Sequence, residues 1–207
     1  MFKMEKDDIQ NLLINVGRQI VRDKGTDALT VRKLSEASGC SVGAIYNQFS
    51  NMDNFIVIQN YITLDELSQE IEKVEPSANP YVDMNRFLQI FINYVEENRN
   101  LWFLLYEFHL RRSERTYSYF YLRKVVKIIG CIGSLLQRML PDMERPERIL
   151  SSQVLWLNLF AVSSLLTKDI QNSFAKIDCK NLCQIVLNTY IAGLSVLERK
   201  KNANKSS

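Results

Sequence analysis

Between Thr30 and Phe49 the three- and four-residue spacing of apolar side chains breaks once, at Ser38-Gly39-Cys40. On each side of the break the pattern lasts about two turns, too short for a helix to persist in water unaided. Two short helices joined by a tight turn, held from outside by other elements, are what this stretch can fold into. Thr30 is placed to cap the first, which runs through Ala37 with Val31 and Leu34 inward. Ser41 is placed to cap the second, with Val42, Ile45, Tyr46 and Phe49 as its apolar positions. In front of the pair, Ile9, Leu12, Leu13, Val16, Ile20 and Val21 draw one stripe down a helix of about four turns, which Gly25 ends.

The remainder also reads as helix. Ser50-Asn51-Met52-Asp53 offers a capping box for a long helix from Met52 to Val74, and Pro76 and Pro80 break it. Helical spacing then covers Val82 to Glu97, Leu101 to Leu110, Tyr117 to Leu140, Glu147 to Thr167 and Asp178 to Glu198. Asn98-Arg99-Asn100, Pro141 with Pro146, and Asn172-Ser173 interrupt these runs. Seven Gly and four Pro in 207 residues leave little punctuation for hairpins, and no strand candidate competes. The expected fold is all-α: a three-helix domain at residues 1–51, a larger helical domain at 52–199 with 52–74 as the linking helix, and a polar, frayed tail at 200–207.

Several classes lose support. Cys40, Cys131, Cys179 and Cys183 contain no CxxC pair and the chain has one histidine, so no metal site and no cofactor are expected, and free thiols fit the cytoplasm. The opening MFKMEKDDIQ lacks the apolar core of a signal peptide. Ile149 to Thr167 is uncharged and approaches the length of a membrane span, yet Ser151, Ser152, Gln153, Asn158, Ser163 and Ser164 make it costly in lipid. That helix is expected between protein surfaces. No GxSxG, P-loop or GxGxxG is present, so catalysis has no visible carrier.

Two short helices with a Gly-containing turn, packed on a longer one, form the geometry that sets a recognition helix in the DNA major groove. Gly43 and Ala44 lack bulk and permit close approach, while Tyr46, Asn47 and Gln48 carry hydrogen-bonding groups. First-turn amides near Ser41 favour a phosphate. The same spacing also serves a plain packing unit, in which Gly39 ends a helix and Tyr46 and Phe49 are core aromatics. A helical adaptor that never meets DNA, or an enzyme with an incidental helix-turn-helix, stays open on the pattern alone.

The stretch LTVRKLSEASGCSVGAIYNQFSNMDNF, from Leu29 to Phe55, resembles the N-terminal signature of the TetR family of bacterial regulators, T-x-R-x-[IL]-A-x-x-[AS]-G-[VC]-S-x-G-x-[LI]-Y-x-[HY]-F-x-[SN]-K-x-x-[LF]. The resemblance implies a homodimer on double-stranded DNA at a palindromic operator, and a C-terminal domain that senses a small molecule and releases the DNA. Position by position it implies phosphate contacts at Thr30, Tyr46 and Gln48, with Arg32, Val42, Gly43, Ala44 and Asn47 facing the groove. Arg32 is the leading candidate for a base contact, since arginine chelates guanine O6 and N7 for about 1–3 kcal/mol of discrimination; a phosphate clamp or a solvated side chain is the plainer role.

Two departures stand out: Met52 occupies the usual Lys position and Gln48 the usual His or Tyr. The module is also not strongly basic, because Arg18, Arg22, Lys24, Arg32 and Lys33 face Asp23, Asp27, Glu36 and Asp53. Geometry, dimer avidity and Lys3 or Lys6 in an N-terminal arm are expected to supply affinity.

Farther along, the helices at 147–167 and 178–198 are apolar on more than one face: Leu150, Val154, Leu157 and Ala161 follow one stripe, Leu155, Leu159, Val162 and Leu166 another. Two such helices suit a four-helix bundle with a second copy, or full burial in a monomer. Aromatic residues crowd the middle of the chain and suit an apolar or aromatic effector, with Trp102, Tyr106, His109, Tyr117, Phe120 and Asn158 as candidate contacts. His109 is otherwise an ordinary core or surface residue. Cys179 and Cys183, one turn apart, are read as small buried hydrophobes or as an oxidant sensor. Arg111, Arg112, Arg115, Arg123, Lys124 and Lys127 form a solvated face or meet an acidic partner.

Overall fold

The computed structural model describes residues 6–110, 119–164 and 178–205, apart from the side chains of Lys6, His109, Leu110, Tyr119, Phe120, Cys179 and Lys205. Among the described residues every regular element is helical. In chain order these are α1 (Lys6–Lys24), α2 (Val31–Ser38), α3 (Val42–Phe49), α4 (Met52–Glu72), α5 (Pro80–Glu97), α6 (Arg99–Leu110), α7 (Tyr119–Met139), α8 (Arg145–Ser164) and α9 (Cys179–Lys205). By packing, the chain divides into two compact units, residues 1–66 with 98–122 and residues 67–97 with 123–207. The one continuous helix α4 has residues in both.

In the first unit the apolar stripe of α1 is the organising surface. Leu13, Ile20 and Val21 share one core with Leu34 of α2, Ile45 and Phe49 of α3, Phe55 of α4, and Leu101 and Leu104 of α6. The rings of Phe49 and Phe55 meet edge to face at 4.8 Å and 82°. Gly17 lets α4 come close, since a Cβ there would lie 2.5 Å from Phe55 Cζ. Arg18, 4% exposed, donates to the Gln59 carbonyl at 3.1 Å, Thr63 Oγ1 at 3.2 Å and Glu66 Oε2 at 2.6 Å. The sequence reading counted Arg18 among the basic residues of the DNA module. It is instead an interior strut between α1 and α4, because a guanidinium can be buried only with its donors and its charge satisfied.

The turns follow from their caps. Thr30 Oγ1 accepts the Lys33 amide and Ser41 Oγ the Ala44 amide, both at 3.2 Å. Gly39, at φ 71 and ψ 5, supplies the left-handed residue that ends α2. At α4 the cap is Asn51, whose Oδ1 accepts the Asn54 amide at 2.8 Å, rather than a box from Ser50 to Asp53. Ser50 takes up the chain reversal, at φ 64.

In the second unit, α5 and α8 each carry a proline within their first two residues, where the missing N–H costs no helical hydrogen bond. Both helices therefore start earlier than the expected Val82 and Glu147. α5 and α6 are separated by Asn98 alone, a shorter break than Asn98 to Asn100 suggested. α8 and α9 pack together, burying Leu155, Trp156 and Leu159 on one and Cys183, Leu187, Ile191 and Leu194 on the other. Tyr190 donates its hydroxyl to the Ser151 carbonyl at 3.0 Å. The tail expected to fray from residue 200 is helical to Lys205. Its polar residues have partners: Lys201 pairs with Glu147 and Glu198, and Asn202 Nδ2 donates to Asp142 at 3.2 Å. No helix of the described residues is long and apolar enough to cross a membrane. The expected features at 111–117, 165–177 and 206–207 lie outside the described residues.

Candidate nucleic-acid interface and effector cavity

α3 is pinned from beneath by Ile45 and Phe49, both buried, and Val42, Gly43, Tyr46 and Asn47 stand exposed on the opposite flank. Ala44 and Gln48 are half-buried. Tyr46 is 41% exposed, so it is not the core aromatic that the plain packing reading required. Gly43 answers no packing need, because a Cβ there would meet only Ser41 Oγ, at 3.9 Å. The Ser41 hydroxyl already takes the Ala44 amide, while the first-turn amides of Val42 and Gly43 find no acceptor within the helix.

Thr30 and Arg32 are exposed at the start of α2, the helix that packs on α3. The Arg32 side chain, 88% exposed, is held by Glu36 one turn on, with Nε 3.1 Å from the carboxylate. A pair this exposed contributes a few tenths of a kcal/mol and opens readily. Arg32 is thus a loosely held cation on the helix that packs against α3. The side chain of Lys6 and all of Lys3 lie outside the described residues.

Residues 13–57 match the family model described as bacterial regulatory proteins, tetR family. The N-terminal module belongs to the TetR family. A search of curated proteins finds no match to the chain. Solved structures share the fold of nearly the whole chain. A TetR-family regulator from Streptomyces coelicolor superposes with a TM-score of 0.69 at 15% identity, covering 96% of this chain and 85% of its own. The TetR-family regulator PfmR from Thermus thermophilus gives 0.62 at 16%, covering 87% and 97%. The repressor FadR from the same organism, in complex with lauroyl-CoA, gives 0.66 at 10%, covering 88% and 93%. The fold is that of TetR-family transcriptional regulators, and residues 13–57 carry the family's N-terminal module.

The second unit of this TetR-type chain contains a cavity of about 260 Å³. Ile71 and Val74 at the end of α4, Phe87 and Ile90 of α5 and Leu135 of α7 give it apolar walls, with Glu72, Asp83, Cys131, Ser134 and Arg138 as polar lining. Asp83, 4% exposed, receives Arg138 Nη1 at 2.7 Å and the Ser77 amide at 2.9 and 3.1 Å, with Arg86 at 3.6 Å. Hydrogen bonding from Ser77 holds its carboxyl below the ordinary value; burial opposes this and Arg138 adds to it. Lys127 pairs with Glu72. Burial, and then the Glu72 charge, push the Cys131 thiol up against the opposing pull of Lys127, so it stays protonated and poorly nucleophilic at neutral pH.

The effector contacts expected from sequence are not gathered at this cavity. Trp102 is fully buried in the first unit, and Tyr106, half-buried, stacks on Phe103 at 6.4 Å. Asn158 is exposed on α8 and donates Nδ2 to the Val154 carbonyl at 2.8 Å. Tyr117 and the side chains of His109 and Phe120 lie outside the described residues. Cys183 is buried, as a small hydrophobe would be; the Cys179 side chain lies outside them too. The cavity residues gave no sequence signal, since Asp83 and Arg138 are one acid and one base 55 positions apart.

On the outer flank of α8, Ile149, Leu150, Val154 and Leu157 are exposed, Leu150 and Leu157 at 61% each; on α9, Ile185, Val196 and Leu197 are exposed, Ile185 at 60%. Apolar rows of this length on neighbouring helices are more than the scattered apolar residues an ordinary surface exposes.

Proposed function

We propose that the chain is a cytoplasmic repressor that binds a palindromic operator as a homodimer and leaves it when a small apolar or aromatic effector binds the larger helical domain. The observation that carries this reading is the outer flank of α3: capped, anchored from beneath, free of bulk at Gly43, and exposing Tyr46 and Asn47, with Arg32 exposed on the adjoining α2. Thr30, Tyr46 and Gln48 then hold phosphates, Val42, Gly43, Ala44 and Asn47 line the groove, Arg32 reads a base, and Ser41 presents the first-turn amides. The exposed apolar rows of α8 and α9 support pairing with a second copy across a two-fold axis.

Release follows from α4. An effector in the cavity beside Ile71 and Glu72 displaces the end of a continuous helix whose earlier turns are tied to α1 through Arg18. Two recognition helices enter successive major grooves only at a spacing of roughly 34 Å, so an effector that favours another spacing weakens DNA binding.

Selection of bound fragments from a random duplex pool tests the reading: a two-fold symmetric consensus supports it, and no enrichment at low salt would sink it. On the selected site, Arg32→Ala and Tyr46→Ala should each lower affinity at least about tenfold while the fold and dimer persist.

A further inference from the structure

We infer that the cavity of the second unit takes a monocarboxylic acid with an apolar body, its carboxylate seated on Arg138 and its body against Phe87, Ile90, Leu135 and Ile71. The inference rests on the reading of this cavity as the effector site, and names the class of molecule that fills it.

The guanidinium of Arg138 carries five N–H groups. Its described contacts use two of them, Nη1 to Asp83 and Nη2 to the Ser77 carbonyl. The remaining groups have no acceptor among the described residues, on a side chain that is 35% exposed and lines the cavity. An arginine that already holds one carboxylate keeps a second edge for another, and a planar carboxylate matches that edge.

Charge at the cavity selects the ligand further. Glu72 is matched by Lys127, whereas Asp83 faces both Arg138 and Arg86. With the ion-pair partners Lys127 and Arg86, which are not themselves lining residues, counted alongside Glu72, Asp83 and Arg138, the set carries one positive charge in excess, which a monoanion neutralises and a dianion overshoots. Asp83 does not repel the newcomer strongly, because its oxygens are already occupied by the Ser77 amide and Arg138. Partial exposure of Arg138 keeps the desolvation cost of the incoming head small, and the apolar walls supply the favourable area for the body. A neutral molecule of the same shape would leave the arginine edge unsatisfied.

Calorimetric titration of the full-length chain with octanoate and octanamide isolates the charge at constant shape. Octanoate should bind about tenfold or more tightly than the amide, the order of one charge-assisted hydrogen bond. Arg138→Leu should erase the preference and Arg138→Lys should keep part of it. Equal binding of acid and amide, no binding of either at millimolar concentration, or a preference that survives Arg138→Leu overturns the assignment. If the leucine variant does not fold, alkylation of Cys131 in the unmodified chain at alkaline pH, where part of this thiol ionises, replaces it: octanoate, and not octanamide, should protect that thiol, and equal protection refutes the inference. A gel shift on the selected DNA runs in parallel. Acid-selective binding with unchanged DNA affinity would leave the ligand class standing and overturn only the release reading.

Discussion

Two outward surfaces of this chain are unusual for opposite reasons. The outer flank of α3 is made of small and hydrogen-bonding residues, Gly43, Asn47 and Tyr46 among them, although the helix beneath is anchored by the fully apolar Ile45 and Phe49. The outer flanks of α8 and α9 carry Leu150, Val154, Leu157 and Ile185, which water solvates poorly. A flank that is slim and polar suits a partner that offers hydrogen bonds and phosphates, while a broad apolar one suits a surface like itself. Exposure alone would rank the second flank as the interaction site and pass over the first. What distinguishes them is hydrogen-bonding capacity: Tyr46 and Asn47 stand exposed on the first flank beside a Gly43 with open space around it, whereas the second flank exposes aliphatic side chains.

The largest effect that can break the contrast concerns the apolar flank. Leu157→Glu removes a side chain worth about 1.5–3 kcal/mol when buried, and two-fold pairing counts it twice, so the dimer should weaken by two to four orders of magnitude. Sedimentation at micromolar concentration should show monomers with unchanged helical circular dichroism. Dimers of undiminished stability would mean that another surface joins the copies.

Next in size is the slim flank. Gly43→Leu should leave the unfolding free energy unchanged or raise it by up to about 1 kcal/mol, since leucine is the better helix former and the site is open. Affinity for the selected DNA should nonetheless fall about a hundredfold, nearly 3 kcal/mol, because the side chain occupies the space between helix backbone and base edges. Loss of stability with DNA binding intact would reverse the assignment and make Gly43 a packing residue.

What the sequence showed of these two flanks was unequal. The caps at Thr30 and Ser41, the turn at Gly39 and the apolar pins of α3 are local, so spacing and residue type were enough to place them. The stripe Leu150, Val154, Leu157 on α8 was visible for the same reason. Non-local arrangements were not. Arg18 looked like part of a basic surface because its partners, Gln59, Thr63 and Glu66, lie more than 40 positions away. The cavity of the second unit has no comparable trace, because its walls come from aliphatic residues and Phe87 on helices whose periodicity says only that they face a core. An asparagine that anchors a ligand and one whose amide is satisfied on its own helix, as at Asn158, leave the same trace in sequence.

The smallest effect serves as a control on the comparison, by asking whether the ion pair lining the cavity contributes to either flank at working pH. The Asp83 carboxyl lies below its ordinary 3.8 in the folded chain, so folding binds fewer protons there than the unfolded state does. Its contribution to stability is then complete above the ordinary carboxyl value and is lost as pH falls through the folded value. Urea unfolding of the native chain and of Asp83→Asn should accordingly differ by a constant amount from pH 8 down to about 5, and the gap should narrow below 3.8. Dimerisation and DNA binding measured between pH 5 and 8 are on this account independent of Asp83 protonation. A gap that widens on acidification would mean that burial outweighs Ser77 and Arg138, and that the carboxyl is raised rather than lowered.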